Sequence, residues 1–404
     1  MNTTRQNLII FLLLMASVVC VSPFFMSASI FKGNILSLIC LILVFVLKNG
    51  ISSKKALLGI SILVVFSCFN MVYWNQATIK VAIYFCSALF IVFLLSYDDL
   101  FKYTNYLTKL LLLMLVGAII GFLYALSGGE ALFYIANEDT ALNGWYLTTF
   151  SKFNMNGITR PAGIYDEPGA LSFMVCICVA LRESLRMKRR DSWILMLAGF
   201  VTLSTAHVIF FVLFWMKVKW KNPKAILTSI LSLGVSLLLL MSFDNPVNTI
   251  VSYSLNRFAI VDGAFVGDNR SYLIAAAYSY LDIKTFLFGL DGDCIMGTPV
   301  CALQEPKYYC CNPLTLIVHY GAFLSLPYYI TLGYLGFKAI QRSDLAILGV
   351  LLLLLQRPYV MSYGYALFLV LYVYAIGHKS MIGKQTNDEC RLSTSSNPFN
   401  NGAK

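Results

Sequence analysis

Charge is scarce in this chain. Aspartate, glutamate, lysine and arginine make up 12% of its 404 residues, where a soluble domain carries about 25%. With 59% hydrophobic residues, that deficit excludes an ordinary soluble domain and predicts an integral membrane protein. Other signals are missing too. There is no internal repeat, no CxxC spacing and no polar stretch with the makings of a soluble domain. The Asp291-Gly292-Asp293 triplet lacks the downstream ligands of a calcium loop and reads as a turn. The first apolar run, 8–25, has no small-x-small cleavage site and reads as an anchor. A net charge of +11 invites a nucleic-acid reading. The basic residues instead gather in short loops between apolar runs, as the positive-inside rule expects, so no nucleic-acid partner is expected.

Apolar runs of about 20 residues are long enough to span a bilayer. They fall near 8–25, 56–74, 79–97, 107–126, 169–185, 225–243 and 313–337, with a shorter one at 34–47. Two further stretches, 193–216 and 344–377, read as hairpins. The first lies between the basic cluster Arg186 to Arg190 and the lysines Lys217, Lys219, Lys221 and Lys224. A turn near Ser204-Thr205-Ala206 keeps both clusters on one side. The second turns at Gln356-Arg357-Pro358, where proline and charge favour a break.

The expected fold is thus an all-α polytopic membrane protein of about twelve segments, with both termini inside. This topology places 21 of the 30 basic residues on the inner side. One membrane domain covers 1–382, with large outer loops near 127–168 and 244–312, and a disordered inner tail follows at 383–404.

Six of the 11 cysteines (Cys20, Cys40, Cys68, Cys86, Cys176 and Cys178) lie in apolar runs, and Cys390 lies in the tail. The remaining four, Cys294, Cys301, Cys310 and Cys311, share the second outer loop. Disulfides joining Cys294 and Cys301 to Cys310 and Cys311 are expected there, which implies an oxidising space such as a bacterial periplasm. Four thiolates on zinc is the rival reading.

The most informative stretch is RPAGIYDEPGALS, Arg160 to Ser172, where a polar loop enters an apolar run. Ionisable groups at membrane depth are costly and usually functional. Arg160 shares the outer side with Arg257, Arg270 and Arg357. Guanidinium groups bind phosphate bidentately and stay charged when desolvated, so a diphosphate suits them as a shared ligand. The bland alternative pairs each with a nearby acid such as Asp166, Asp262 or Asp268. Asp166 and Glu167 are candidates to orient or deprotonate a hydroxyl. His319 is a further catalytic candidate, with Asn312, Ser204 and His207 as substrate contacts. For either histidine the plain alternative is a packing role.

These elements resemble the O-antigen polymerase (Wzy) family, which is related to the O-antigen ligases. The carriers are RPAGIYDEPGALS before a span, TLSTAH (Thr202 to His207) in a hairpin, GDNRSY and GLDGD in the second loop, NPLTLIVHYG at the entry to the next span, and QRP in the last hairpin. The chain departs from the family where Thr205 follows the hairpin serine, a place where relatives often carry arginine. The resemblance implies a membrane glycosyltransferase of the GT-C type with no cofactor or metal. It would act at the periplasmic face of the bacterial inner membrane, joining undecaprenyl-diphosphate-linked repeat units in lipopolysaccharide synthesis. A chain-length regulator, a flippase and the bilayer would be its partners. An O-antigen ligase and a non-enzymatic lipid-saccharide flippase are the alternatives.

Overall fold

The computed structural model describes residues 3–25, 33–48, 87–136, 142–153, 159–219, 259–261, 271–289, 312–356 and 364–377, with positions 224, 252, 256, 264 and 265. Arg257, Arg270, Arg357, the four loop cysteines, the apolar runs 56–74 and 225–243 and the tail 383–404 lie outside the described residues.

The described chain is mostly helical, as expected. Its helices are α1 (Thr3–Leu14), extended by a π-helical turn (Met15–Val19), α2 (Gly33–Leu47), α3 (Tyr97–Leu126), α4 (Pro168–Ser184), α5 (Arg189–Gly199), α6 (Thr205–Lys219), α7 (Ser271–Ser279), α8 (Ile283–Phe288), α9 (Thr315–Arg342), α10 (Leu345–Gln356) and α11 (Gly364–Gly377). A 3-10 turn, Phe200–Thr202, joins α5 to α6. Among the described residues, α3 is long and apolar enough to cross a membrane. The two parts of α9, Thr315–Phe323 and Ser325–Arg342, pass the same test together.

Two departures from the sequence reading have local causes. The stretch 98–106 was expected to be an inner loop between spans, yet α3 begins at Tyr97 and runs through it. Ser96 starts the helix early. Its hydroxyl accepts from the Asp99 backbone N–H, and the Asp99 carboxylate accepts from the Ser96 N–H, a reciprocal capping box. The second departure is β structure within an expected all-α fold. The segment after α3 forms a four-stranded antiparallel sheet, β1 (Phe133–Ala136), β2 (Leu142–Tyr146), β3 (Thr149–Phe153) and β4 (Thr159–Gly163), in sequential order. A small pair, β5 (Ile260–Val261) with β6 (Ala264–Phe265), lies in the stretch 244–312.

The sheet docks on the last turns of α3 through two glycines one helical turn apart. The Thr148 hydroxyl donates to the Gly117 carbonyl at 2.6 Å. A Cβ on Gly121 would lie 2.4 Å from Thr149 Cγ2 and 2.5 Å from the Tyr146 carbonyl oxygen. Gly121 has no room for a side chain, and a Cβ on Gly117 would lie a tight 3.3 Å from the Thr148 carbonyl oxygen, so the β2–β3 hairpin lies close on the helix backbone.

At the centre stands α4, buried on every face: every residue from Pro168 to Glu183 except Gly169 is buried. A helix apolar all round belongs in a core, and α3, α5, α6 and α10 pack on it. At the C-terminal end of α4 the charged groups converge. Arg182, 1% exposed, donates to the Asp191 carboxylate (2.8 Å), Thr108 Oγ1 (2.8 Å), Ser192 Oγ (3.2 Å) and the Lys188 carbonyl (2.7 Å). Glu183 meets Arg189 at 3.6 Å and Lys217 at 3.7 Å, and Lys217 reaches Asp344 at 2.8 Å. Arg189 opens α5 and Lys217 closes α6, so one carboxylate holds both feet of the expected hairpin at one end of the bundle. Asp344 adds the junction of α9 and α10, and Arg342 donates to the Ile376 carbonyl at the end of α11 (3.0 Å). The start of α3 belongs here too, since Tyr97 donates to the Leu185 carbonyl. Around it, Gln6 bonds Asp98 and Asp99, and Lys48 pairs with Asp99. Basic loops far apart in sequence thus share one end of the bundle. The N-terminus of α4 lies about 25 Å away, at 1.5 Å per residue.

Candidate functional site

At that far end the chain assembles the RPAGIYDEP segment. β4 leads through Ile164 and Tyr165 to Asp166 and Glu167, and Pro168 opens α4. Proline suits the first helical turn because its missing N–H would be unpaired there in any case. Glu167 takes the N-cap position with extended backbone (φ −136°, ψ 143°), and its carbonyl accepts from the Ala170 N–H at 3.0 Å. Asp166 and Glu167 are half-buried. Both residues lie at the N-terminal end of α4.

Arg160, on β4, is half-buried and reaches the turn between α5 and α6. Its Nε donates to the Thr202 carbonyl (3.4 Å), and its Nη2 donates to Thr202 O (3.3 Å) and Leu203 O (3.0 Å). These carbonyls end the 3-10 turn, where no further helical N–H follows to meet them, and a cation is a favourable partner for such groups. Leu203 takes φ 49°, ψ 37°, a left-handed conformation uncommon outside glycine. These three bonds run to backbone carbonyls. The Nε/Nη2 edge, which would form a bidentate fork on phosphate, faces the hairpin turn.

Behind the turn, Ser204 is buried, and its carbonyl accepts from the Val208 N–H (3.2 Å). His207 is fully buried. Its Nε2 lies 2.8 Å from the Met196 carbonyl and its Nδ1 3.6 Å from Cys176 Sγ. A carbonyl only accepts, so Nε2 carries the proton and Nδ1 is left to accept from the thiol. The ring also meets Phe200 edge-on at 5.3 Å. A Cβ on Gly199 would lie 2.2 Å from His207 Cε1. His207 therefore fastens α6 to α5 and α4 from inside.

Tyr165, which the sequence did not single out, is fully buried beneath this region. Its hydroxyl has no hydrogen-bond partner among the described residues. Burial pushes its phenol well above the ordinary value, so it stays a protonated donor. Its position between β4 and the Asp-Glu-Pro entry to α4 was the available signal, but an aromatic there reads equally well as packing.

A second group forms around the start of α9. Asn312 is buried. Its Oδ1 accepts from the Leu314 N–H (2.8 Å), its Nδ2 donates to the Leu273 carbonyl (3.2 Å), and its own N–H donates to Thr315 Oγ1 (3.0 Å). It starts α9 and ties α7 to it. His319, also buried, lies on the first part of α9 beside the Tyr320 ring (5.5 Å). Two residues on, Gly321 leaves helical geometry (φ 71°, ψ 170°), and the two parts of α9 meet at 109°. Pro327 has no N–H to offer the Phe323 carbonyl, which favours the break. The C-terminus of α8 fills the bend: a Cβ on Gly289 would lie 2.3 Å from His319 O, and one on Gly321 2.3 Å from Leu287 O.

Of the sequence candidates, Arg160, Asp166, Glu167, Ser204 and His207 gather where β4, the start of α4 and the hairpin turn pack together. Asn312 and His319 belong to the group at the start of α9. Comparison with family models, curated proteins and solved structures finds no match for this chain.

Proposed function

We propose that this chain is a membrane-embedded glycosyltransferase of the O-antigen polymerase kind, of GT-C-like architecture with about twelve spans. Its place is the bacterial inner membrane with the reacting end in the periplasm. Its substrates are undecaprenyl-diphosphate-linked oligosaccharide units, supplied by a flippase and regulated in length by a partner protein. The observation that carries this reading is the polarity of the bundle. One end is tied by Arg182, Glu183, Arg189, Lys217 and Asp344. The other gathers Arg160 with Asp166 and Glu167 around the hairpin turn.

Transfer of a growing chain to a new unit breaks a sugar–diphosphate bond and forms a glycosidic bond. The acceptor hydroxyl loses a proton, and negative charge develops on the departing diphosphate. Fixed cations and N–H groups aimed at that charge lower the barrier. With its Nε/Nη2 edge on the turn, Arg160 positions the hairpin and adds positive potential. Arg257, Arg270 and Arg357 remain the candidates for direct phosphate contact. Glu167 or Asp166 would take the acceptor proton.

The test is the lipopolysaccharide ladder of cells with and without the gene. Loss of the polymerase leaves core carrying a single repeat unit, whereas loss of a ligase leaves core with none attached. A normal ladder in the deletion strain overturns both.

A further inference from the structure

The two faces of the four-stranded sheet differ. Side chains alternate along a strand. The registers Phe133↔Trp145 and Trp145↔Phe150 therefore put Phe133, Asn143, Trp145 and Phe150 on one face. Tyr146 and Thr149 are on the other, which the Gly117–Gly121 stretch of α3 occupies. On the first face the Phe133 and Trp145 rings stack, 13° from parallel with centroids 5.9 Å apart. Phe150 meets Trp145 edge-on at 4.6 Å. The indole is held in place, since Trp145 Nε1 donates to the Leu147 carbonyl at 3.0 Å. Phe133 is 47% exposed and Phe150 4%, so the strip runs from the surface inward. Asn143 is 1% exposed, and its Nδ2 finds no acceptor among the described residues. A buried amide donor is costly to leave unmatched.

We propose that this strip is a saccharide subsite, with the Phe133–Trp145 stack receiving the face of one neutral pyranose ring and Asn143 Nδ2 donating to its hydroxyl or ring oxygen. A pyranose supplies what the strip lacks: a flat C–H face for the rings and neutral acceptor oxygens for the amide. Trp145 and Arg160 stand on strands two places apart and two residues apart along the ladder, about 12 Å at ordinary strand spacing and rise. A sugar on the strip and a diphosphate near Arg160 thus fit one lipid-linked molecule, and in this respect the subsite rests on the polymerase reading.

The experiment uses the full-length protein in phospholipid nanodiscs, with the methyl glycosides of glucose, galactose, N-acetylglucosamine and rhamnose as probes. Saturation-transfer NMR should show transfer to the ring protons of at least one glycoside. Phe133→Ala should weaken it about tenfold, the scale of one aromatic contact. Tyr134→Ala, on the opposite face and 58% exposed, should leave it unchanged. No transfer from any probe, or equal transfer in Phe133→Ala, overturns the subsite. So does quenching by acyl-brominated lipid that is strong in the native protein and lost in Trp145→Phe, because the strip would then be a membrane-interface belt. The two readings fail separately. A normal ladder without the gene ends the polymerase reading while glycoside binding stands. A ladder that needs the gene, with glycoside binding absent, ends the subsite alone.

Discussion

Arg160 and Leu203 hold each other in place: the guanidinium donates to the Leu203 carbonyl at 3.0 Å, and Leu203 sits at φ 49°. The bond joins the four-stranded sheet to the turn between α5 and α6, two segments separated in sequence by the whole of α4 and α5. Hydrogen bonds to a charged group contribute roughly 1.5–3 kcal/mol each, and the half-buried setting favours the lower part of that range. Arg160→Ala should lower the thermal midpoint in detergent and shorten or abolish the polysaccharide ladder. Arg160→Lys should recover only part of either, since a single ammonium cannot reach both carbonyls with a planar fork. A ladder and midpoint indistinguishable from native in Arg160→Ala would leave the contact without consequence.

The hairpin is tested at its feet. Lys217 lies between Glu183 and Asp344 and is 18% exposed. Lys217→Met should destabilise the fold by roughly 1–3 kcal/mol, as expected when partly buried acids lose their cation. The double variant Lys217→Met with Asp344→Asn should cost less than the sum of the two single changes, because contacting residues are coupled. Strict additivity in detergent melts would show that the pair does not hold α6 to the α9–α10 junction.

Gly121 and Gly333 make a matched pair of helical glycines. A Cβ at Gly121 would meet Thr149 and Tyr146 at 2.4 and 2.5 Å, whereas nothing lies within 4 Å at Gly333. Gly121→Ala should push the sheet away from α3 at about 1–3 kcal/mol. Gly333→Ala should be neutral or stabilise by about 0.5–1 kcal/mol. Differential scanning fluorimetry of the two variants decides, and equal behaviour would remove the case for close sheet docking.

Orientation across the membrane can be read directly. Reporter fusions after Arg190 and Lys221 should both report cytoplasm, and fusions near Asn137 and Gly267 should report periplasm. If the first two fall on opposite sides, the α5–α6 stretch crosses as a single span and the proposed active end is misplaced.

Much of this organisation was legible in the sequence because charge and apolarity are long-range labels. The basic clusters around 186–190 and 217–224 implied that α5 and α6 fold back, and the shared Glu183 contacts agree with that reading. The polar entry RPAGIYDEP marked the start of the most buried helix. The early start of α3 was written in Ser96-x-x-Asp99, a local signal masked by reading Asp98, Asp99 and Lys102 as a loop. The sheet was harder to see. Leu142–Tyr146 and Thr149–Phe153 are too short and too mixed for alternation to stand out, and their stability depends on Gly117 and Gly121 in a different element. The backbone partners of Arg160, His207 and Asn312 were not legible either. Their chemistry fits a substrate as well as a backbone carbonyl, and the contacts to Thr202, Met196 and Leu273 depend on which distant segments the fold brings beside them.

The meeting of Gly289 and Gly321 has a mechanical corollary. Contacts made through side chains have slack, since a rotamer change can absorb a shift of an ångström before strain reaches the main chain. Here main chain rests on main chain on both sides, and there is no rotamer to give way. A displacement of α8 would be handed undamped to the corner of α9 that carries His319.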